Sequence, residues 1–255
     1  MQIREFVAKM MKKLRINIFT TAEDFSIPSE EVQRLEKVAE SDLAKLFYSH
    51  NGRIINKWLH YLEIYDKEFA IYRNTSLSFL EIGVSQGGSL ELWRKYFGEN
   101  ATIFGIDIDP ACAQRFDPPN QVRIGSQEDE AFLIRVLDEI GDPDIVLDDG
   151  SHVSRHQMTS FRILFPRLKV GGLYIIEDLH TAYWPESFEG GYRRRGTGIE
   201  LAKTLVDDMH GWFHNSGQRL APQTQIASIR FYNSIVVIEK GDISMPGHIQ
   251  VGQKR

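Results

Sequence analysis

The chain has 255 residues, 42% of them apolar and 25% charged, an ordinary balance for a globular protein in water. A formal net charge of −5 gives no footing for nucleic acid, and a single cysteine, Cys112, excludes an intrachain disulfide and a cysteine-ligated metal cluster. No stretch approaches the roughly 20 apolar residues of a membrane span, and the basic N-terminus lacks the apolar core of a secretory signal, so a cytoplasmic protein is expected.

Residues 1–27 open the chain with Ile3, Phe6, Val7, Met10, Met11 and Leu14 at helical spacing. Arg4, Lys9, Lys12, Lys13 and Arg15 lie between them. Two readings stay open for such a helix: docking on the core or on a second subunit, or lying on an anionic membrane surface. Ser29, followed by Glu30 and Glu31, predicts the cap of a helix running through Leu46. The aromatic-rich run 53–72, with Trp58, His60, Tyr61, Tyr65 and Tyr72, predicts a second helix.

Strands are predicted at 77–82, 102–107, 121–124, 144–148 and 172–177, separated by helical patterns at 88–97, about 110–116, 129–140 and 154–167. That alternation predicts an α/β, doubly wound parallel sheet. A helix over about 198–213 precedes two further strands, 227–231 and 234–239. They lie too close for a crossover and must pair antiparallel. The expected organisation is an N-terminal helical extension over 1–75, a sheet domain over 76–240 and a polar tail over 241–255.

Ligands of such sheets bind beyond the C-terminal strand ends. The first strand runs into Glu81-Ile82-Gly83-Val84-Ser85-Gln86-Gly87-Gly88-Ser89, whose glycines allow a sharp turn and close ligand approach. The spacing is not the pyrophosphate-cradling G-x-G-x-x-G. The second strand ends in Asp107, where an acid can accept from ribose hydroxyls, and Ser126 and Gln127 follow the third strand, where an adenine edge can be read. The fourth strand ends in Asp148-Asp149-Gly150-Ser151-His152 and the fifth in Glu177-Asp178. Four acids and a histidine at two strand ends point to a metal ion and a base.

The glycine turn, the Gly105-Ile106-Asp107-Ile108-Asp109 run and the closing hairpin resemble class I S-adenosylmethionine-dependent methyltransferases, which have a Rossmann-like seven-stranded sheet. Their ligand carries an amino acid and a sulfonium but no phosphate. The resemblance implies that Gly83, Ser85 and Gly87 line its methionine and ribose, that Asp107 binds the ribose, and that Glu81 organises the turn. It places Asp148 near the amino or sulfonium end. The blocks D-D-G-S-H, I-I-E-D-L-H and T-A-Y-W further resemble metal-dependent sugar O-methyltransferases of the macrolide-glycoside and rhamnosyl type, over about residues 42–240. That likeness implies Asp149, Glu177 and Asp178 as ligands of Mg2+ and His152 as general base. Asn56, Lys57, His60 and Tyr61 would then fold over the cofactor.

Other readings stand beside these. His156 and His180 are rival bases, and His180 is also a candidate to bind substrate or metal. Tyr183 and Trp184 either stack on a sugar face or pack in the core. The Arg193-Arg194-Arg195 run, framed by glycines, is either an acceptor loop or a solvated charge run. The expected reaction is methylation of a glycosyl hydroxyl on a small molecule or glycan by a homo-oligomer, with catechol or vicinal-diol methylation as the alternative.

Overall fold

A computed structural model describes residues 27–114, 121–184, 188–214 and 225–253. The basic amphipathic helix expected over the first residues, and the end of the one expected at 110–116, lie outside these. The chain divides into two units, residues 1–40 and 41–255. In the first, α1 (Ser29–Val38) buries no residue and carries a Glu31–Arg34 ion pair across one turn. Pro28, not Ser29, occupies its cap position, without a side-chain bond.

The helix expected to run through Leu46 stops at Val38, and Ser41 caps a new one, α2 (Asp42–Tyr48), its hydroxyl accepting from Ala44 N at 3.1 Å. A serine hydroxyl that bonds the backbone two or three residues on starts a helix better than it continues one, so Ser41 opens the new helix. The second expected helix begins late, as α3 (Leu59–Phe69). Residues before it are extended because they are anchored elsewhere: Arg53 N donates to Glu91 at 3.1 Å, and Ile54 to Lys57 line a cavity.

Seven strands form one sheet: β1 (Ser78–Ile82), β2 (Thr102–Asp107), β3 (Val122–Ile124), β4 (Ile145–Asp148), β5 (Leu173–Ile176), β6 (Ile226–Phe231) and β7 (Val236–Lys240). Their order is β3-β2-β1-β4-β5-β7-β6, parallel through β5, with β7 antiparallel to both β5 and β6. The doubly wound sheet with a closing hairpin is the expected architecture, each strand within about two residues of its predicted bounds. Because helices cover both faces, β4 and β5 are buried at every position, as parallel strands with two covered faces must be.

The pleat divides the core in two. Phe79, Ile103, Ile145, Leu147 and Ile175 pack on one side against α3 and α4 (Gly88–Phe97). The centre of that layer is aromatic: Trp93 lies 5.3 Å from Tyr65 and 5.6 Å from Phe69, both edge-on. Each such ring contributes roughly 1.5–3 kcal/mol by burial. Leu80, Ile82, Val146, Tyr174 and Ile176 face the other way, toward α5 (Glu130–Ile140), α6 (Ser154–Leu164) and α7 (Gly198–Met209). Chain order reverses between β1 and β4, so the crevice opens where Gly83 and Asp149 leave those strands. Among the described residues no helix is long and apolar enough to cross a membrane.

Candidate active site

A cavity of about 470 Å³ occupies that crevice. Its cofactor-like end is built from the glycine turn. Gly83 has φ +96°, and a Cβ there would lie 2.0 Å from the carbonyl oxygen of Asp149, so only glycine lets β1 and β4 diverge this closely. Asp107 lines the cavity while its Oδ2 accepts from Val84 N and Ser85 N, each at 2.9 Å, and its Oδ1 from Asp109 N at 2.9 Å. The acid thus shapes the turn with two bonds to Oδ2 and one to Oδ1, which keeps an acceptor position on Oδ1 for a ligand.

Gly83, Ser85, Asp107, Ser126 and Gln127 all line the cavity; Glu81, Gly87 and Asp148 lie behind its wall. Glu81 is fully buried, accepting from Ser89 Oγ at 2.8 Å and from Trp93 Nε1 at 3.3 Å. Burial, only partly offset by Lys57, pushes its carboxyl up to about 7. Gln127 is committed to protein: Oε1 accepts from Ser151 N at 2.7 Å, and Nε2 donates to Asp148 at 3.0 Å and Ser160 at 3.2 Å. Asp148, expected at the sulfonium end, instead faces inward. Its Oδ2 accepts from Ser160 Oγ at 2.8 Å and Tyr174 OH at 3.3 Å, and burial raises its pKa against those bonds. Successive residues at a strand end point to opposite faces, so Asp148 enters the helix layer and Asp149 the cavity.

The other end holds the acids. Asp149, His152 and Asp178 bring one ligand atom each within 4.8 Å of one another. His152 Nε2 lies 3.9 Å from Asp149 Oδ1 and 3.5 Å from Asp178 Oδ2. The opposite oxygens are taken. Lys57 Nζ donates to Asp149 Oδ2, and Asp178 Oδ1 accepts from Trp58 Nε1 at 3.1 Å and Tyr61 OH at 2.6 Å. Glu177, beside the cluster rather than in it, is buried, and both its hydrogen bonds fall on Oε1: from Lys57 Nζ at 2.7 Å and from Tyr65 OH. Burial, reinforced by the Asp149 charge, holds its carboxyl well above the ordinary range despite Lys57.

Each of the three acids therefore has one oxygen pinned by donors. Asp149 and Asp178 turn their other oxygens toward the same space. Hard carboxylate oxygens without a sulfur ligand fit a magnesium-like divalent cation. Ser85, His152 and Asp178 all hold left-handed backbone (φ 48°, 57° and 53°) and all line the cavity. Such strain costs on the order of 1–3 kcal/mol per residue and gathers where geometry serves a ligand.

The rival histidines are engaged differently. His156 lines the cavity, its Nδ1 2.7 Å from Ser151 Oγ and its Nε2 3.0 Å from Glu128, and burial lowers its pKa. His180 lies outside the cavity lining, with Nδ1 2.6 Å from Ser234 Oγ and its ring against Trp58 and Trp184. Tyr183 and Trp184, 44% and 43% exposed, lie outside the lining too, so neither packs as core. Arg193, Arg194 and Arg195 are exposed on their loop.

The donors to the acids are what reasoning from motifs passed over. Lys57 was singled out only as a cofactor cover, and Trp58 and Tyr65 had no assigned role. The signal was present: Trp58, Tyr61 and Tyr65 recur at helical spacing with their polar heads on one face.

No family model matches the chain. It is 38% identical over 213 residues to the 8-demethyl-8-(2-methoxy-alpha-L-rhamnosyl)-tetracenomycin-C 3'-O-methyltransferase of Streptomyces olivaceus, covering 78% of this chain and 54% of that protein. It is 37% identical over 194 residues to the mycinamicin VI 2''-O-methyltransferase of Micromonospora griseorubida, covering 69% of this chain and 47% of the relative. The chain thus spans about half the length of the relatives it matches. Among solved structures, the MycE methyltransferase of the mycinamycin biosynthetic pathway, in complex with Mg and SAH, superposes with a TM-score of 0.68 at 33% identity, over 82% of this chain and 53% of that one.

Proposed function

Since the chain is a homologue of the class I S-adenosylmethionine-dependent sugar O-methyltransferases, we propose that it transfers a methyl group from S-adenosylmethionine to a hydroxyl of a glycosyl group, with Mg2+. The observation that carries this reading is the convergence of Asp149 Oδ1, Asp178 Oδ2 and His152 Nε2 at one end of a cavity whose other end is the glycine turn. A rhamnosyl or macrolide-borne deoxysugar is the acceptor class its relatives support.

A sugar hydroxyl is a poor nucleophile because it is very weakly acidic. A carboxylate-held divalent cation supplies Lewis-acid stabilisation of the developing alkoxide. His152 takes the hydroxyl proton at Nε2, which places the imidazole's own proton on Nδ1. Asp178 Oδ2 at 3.5 Å and Asp149 Oδ1 at 3.9 Å lie on either side of that nitrogen. Gly83, Ser85 and Asp107 hold the methyl donor, and the wall formed by Ile54 to Lys57 limits water. We assign residues 76–240 as the transfer domain, and propose a homo-oligomer.

The test is mass-spectrometric methyl transfer onto a panel of glycosides and catechols, with and without Mg2+. Methylated glycoside, formed only with the metal and lost in Asp149→Ala, is the expected result. Methylation of catechols and of no glycoside would reverse the acceptor class.

A further inference from the structure

Lys57 is 3% exposed, yet its ammonium belongs to no core motif. It contacts three acids from three different strand ends: Asp149 Oδ2, Glu177 Oε1 at 2.7 Å and Glu81 Oε1 at 3.9 Å. The choice of oxygens is selective. On Asp149 it takes Oδ2 and leaves Oδ1 facing His152; on Glu177 it shares Oε1 with Tyr65. A cation placed for stability alone has no need to leave one oxygen of Asp149 and one of Glu177 without a donor.

We propose that Lys57 is a positioning residue for the divalent-cation site: it pins one oxygen of Asp149 and one of Glu177 and so leaves their partner oxygens for the ion. This rests on the reading of Asp149, Glu177 and Asp178 as cation ligands. It makes Lys57 a companion of the ion, present with it, and not a placeholder that the ion expels. Outer partners of metal ligands typically set affinity by roughly 10–100-fold, and a charged one orients as well as neutralises.

The experiment measures Mn2+ binding through the paramagnetic signal of the free ion, in wild type, Asp149→Ala and Lys57→Met. Wild type binds, Asp149→Ala does not, and Lys57→Met binds about 10–100-fold more weakly. Unchanged affinity in a folded Lys57→Met protein reduces Lys57 to a structural role and overturns the proposal. Tighter binding makes it a competitor and overturns it equally, leaving the cation site standing. A wild type that binds no Mn2+ overturns the cation site itself.

Should Lys57→Met not fold, wild type labelled with [15N]lysine gives the answer. The slowly exchanging Nζ resonance of Lys57, assigned with Lys57→Arg, persists through Mg2+ saturation. Its loss on adding Mg2+ marks displacement and overturns the proposal.

Discussion

Asp148 and Asp149 are neighbours in sequence and identical in chemistry, yet their environments share almost nothing. One is sealed among Gln127, Ser160 and Tyr174; the other meets Lys57 and His152 in the cavity. The same division separates the histidines. Of His152, His156 and His180, only His152 points Nε2 at both Asp149 and Asp178. Replacing it with alanine is expected to lower turnover by about 10²–10⁴-fold, the usual share of a general base, with Mn2+ and S-adenosylmethionine binding retained. Single-turnover kinetics beside calorimetric titration checks this, and a His152→Ala enzyme as fast as wild type across pH 6–9 would reassign the base. The acids and the histidine were legible from residue type and strand-end position. Which oxygen of each acid is pinned was not, because that depends on donors from residues 57–65, about a hundred positions earlier in the chain.

Among elements, the strands were read closely and the N-terminal helices were not. Apolar runs bounded by glycine and acid turns mark buried strands strongly, whereas the extended stretch 53–58 looks helical by composition and is pulled straight by its contacts with Glu91 and the cavity. The turn after β1 offers a sharper test. Gly83→Ala imposes a left-handed φ and drives Cβ against the Asp149 carbonyl, so it should destabilise by roughly 2–4 kcal/mol. Gly141→Ala, at φ +79° with nothing within 4 Å of a built Cβ, should cost only about 1 kcal/mol. Urea unfolding of the two variants measures the difference. Equal losses would mean that the close approach of β1 and β4 contributes nothing.

At the scale of the molecule, residues from the β1, β4 and β5 ends and from residues 57–65 converge on one charge cluster. A ligand that binds there stabilises the folded state by mass action, about 2.7 kcal/mol at a hundred times its Kd. For a protein of this size that corresponds to a rise in Tm of roughly 5–11 °C, which a chelator should reverse and Asp149→Ala should abolish. A melting point indifferent to Mg2+ and to chelator in wild type would argue against a cation at the cluster. The mostly parallel sheet with its antiparallel close was readable from strand spacing alone, since distance between strands decides which connections are possible.

The closing hairpin also touches the site. Ser234, in the link between β6 and β7, has its Oγ 2.9 Å from Tyr61 OH and 2.6 Å from His180 Nδ1, and its carbonyl accepts from Leu179 N at 2.9 Å. Tyr61, with Trp58, pins Asp178. During synthesis the ribosome delivers residues 57–65 first, the acids next and Ser234 after them. A nascent chain still lacking residues 226–240 has Asp149, Glu177 and Asp178 with their donors from residues 57–65, but not the hydroxyl that stands behind Tyr61 and His180.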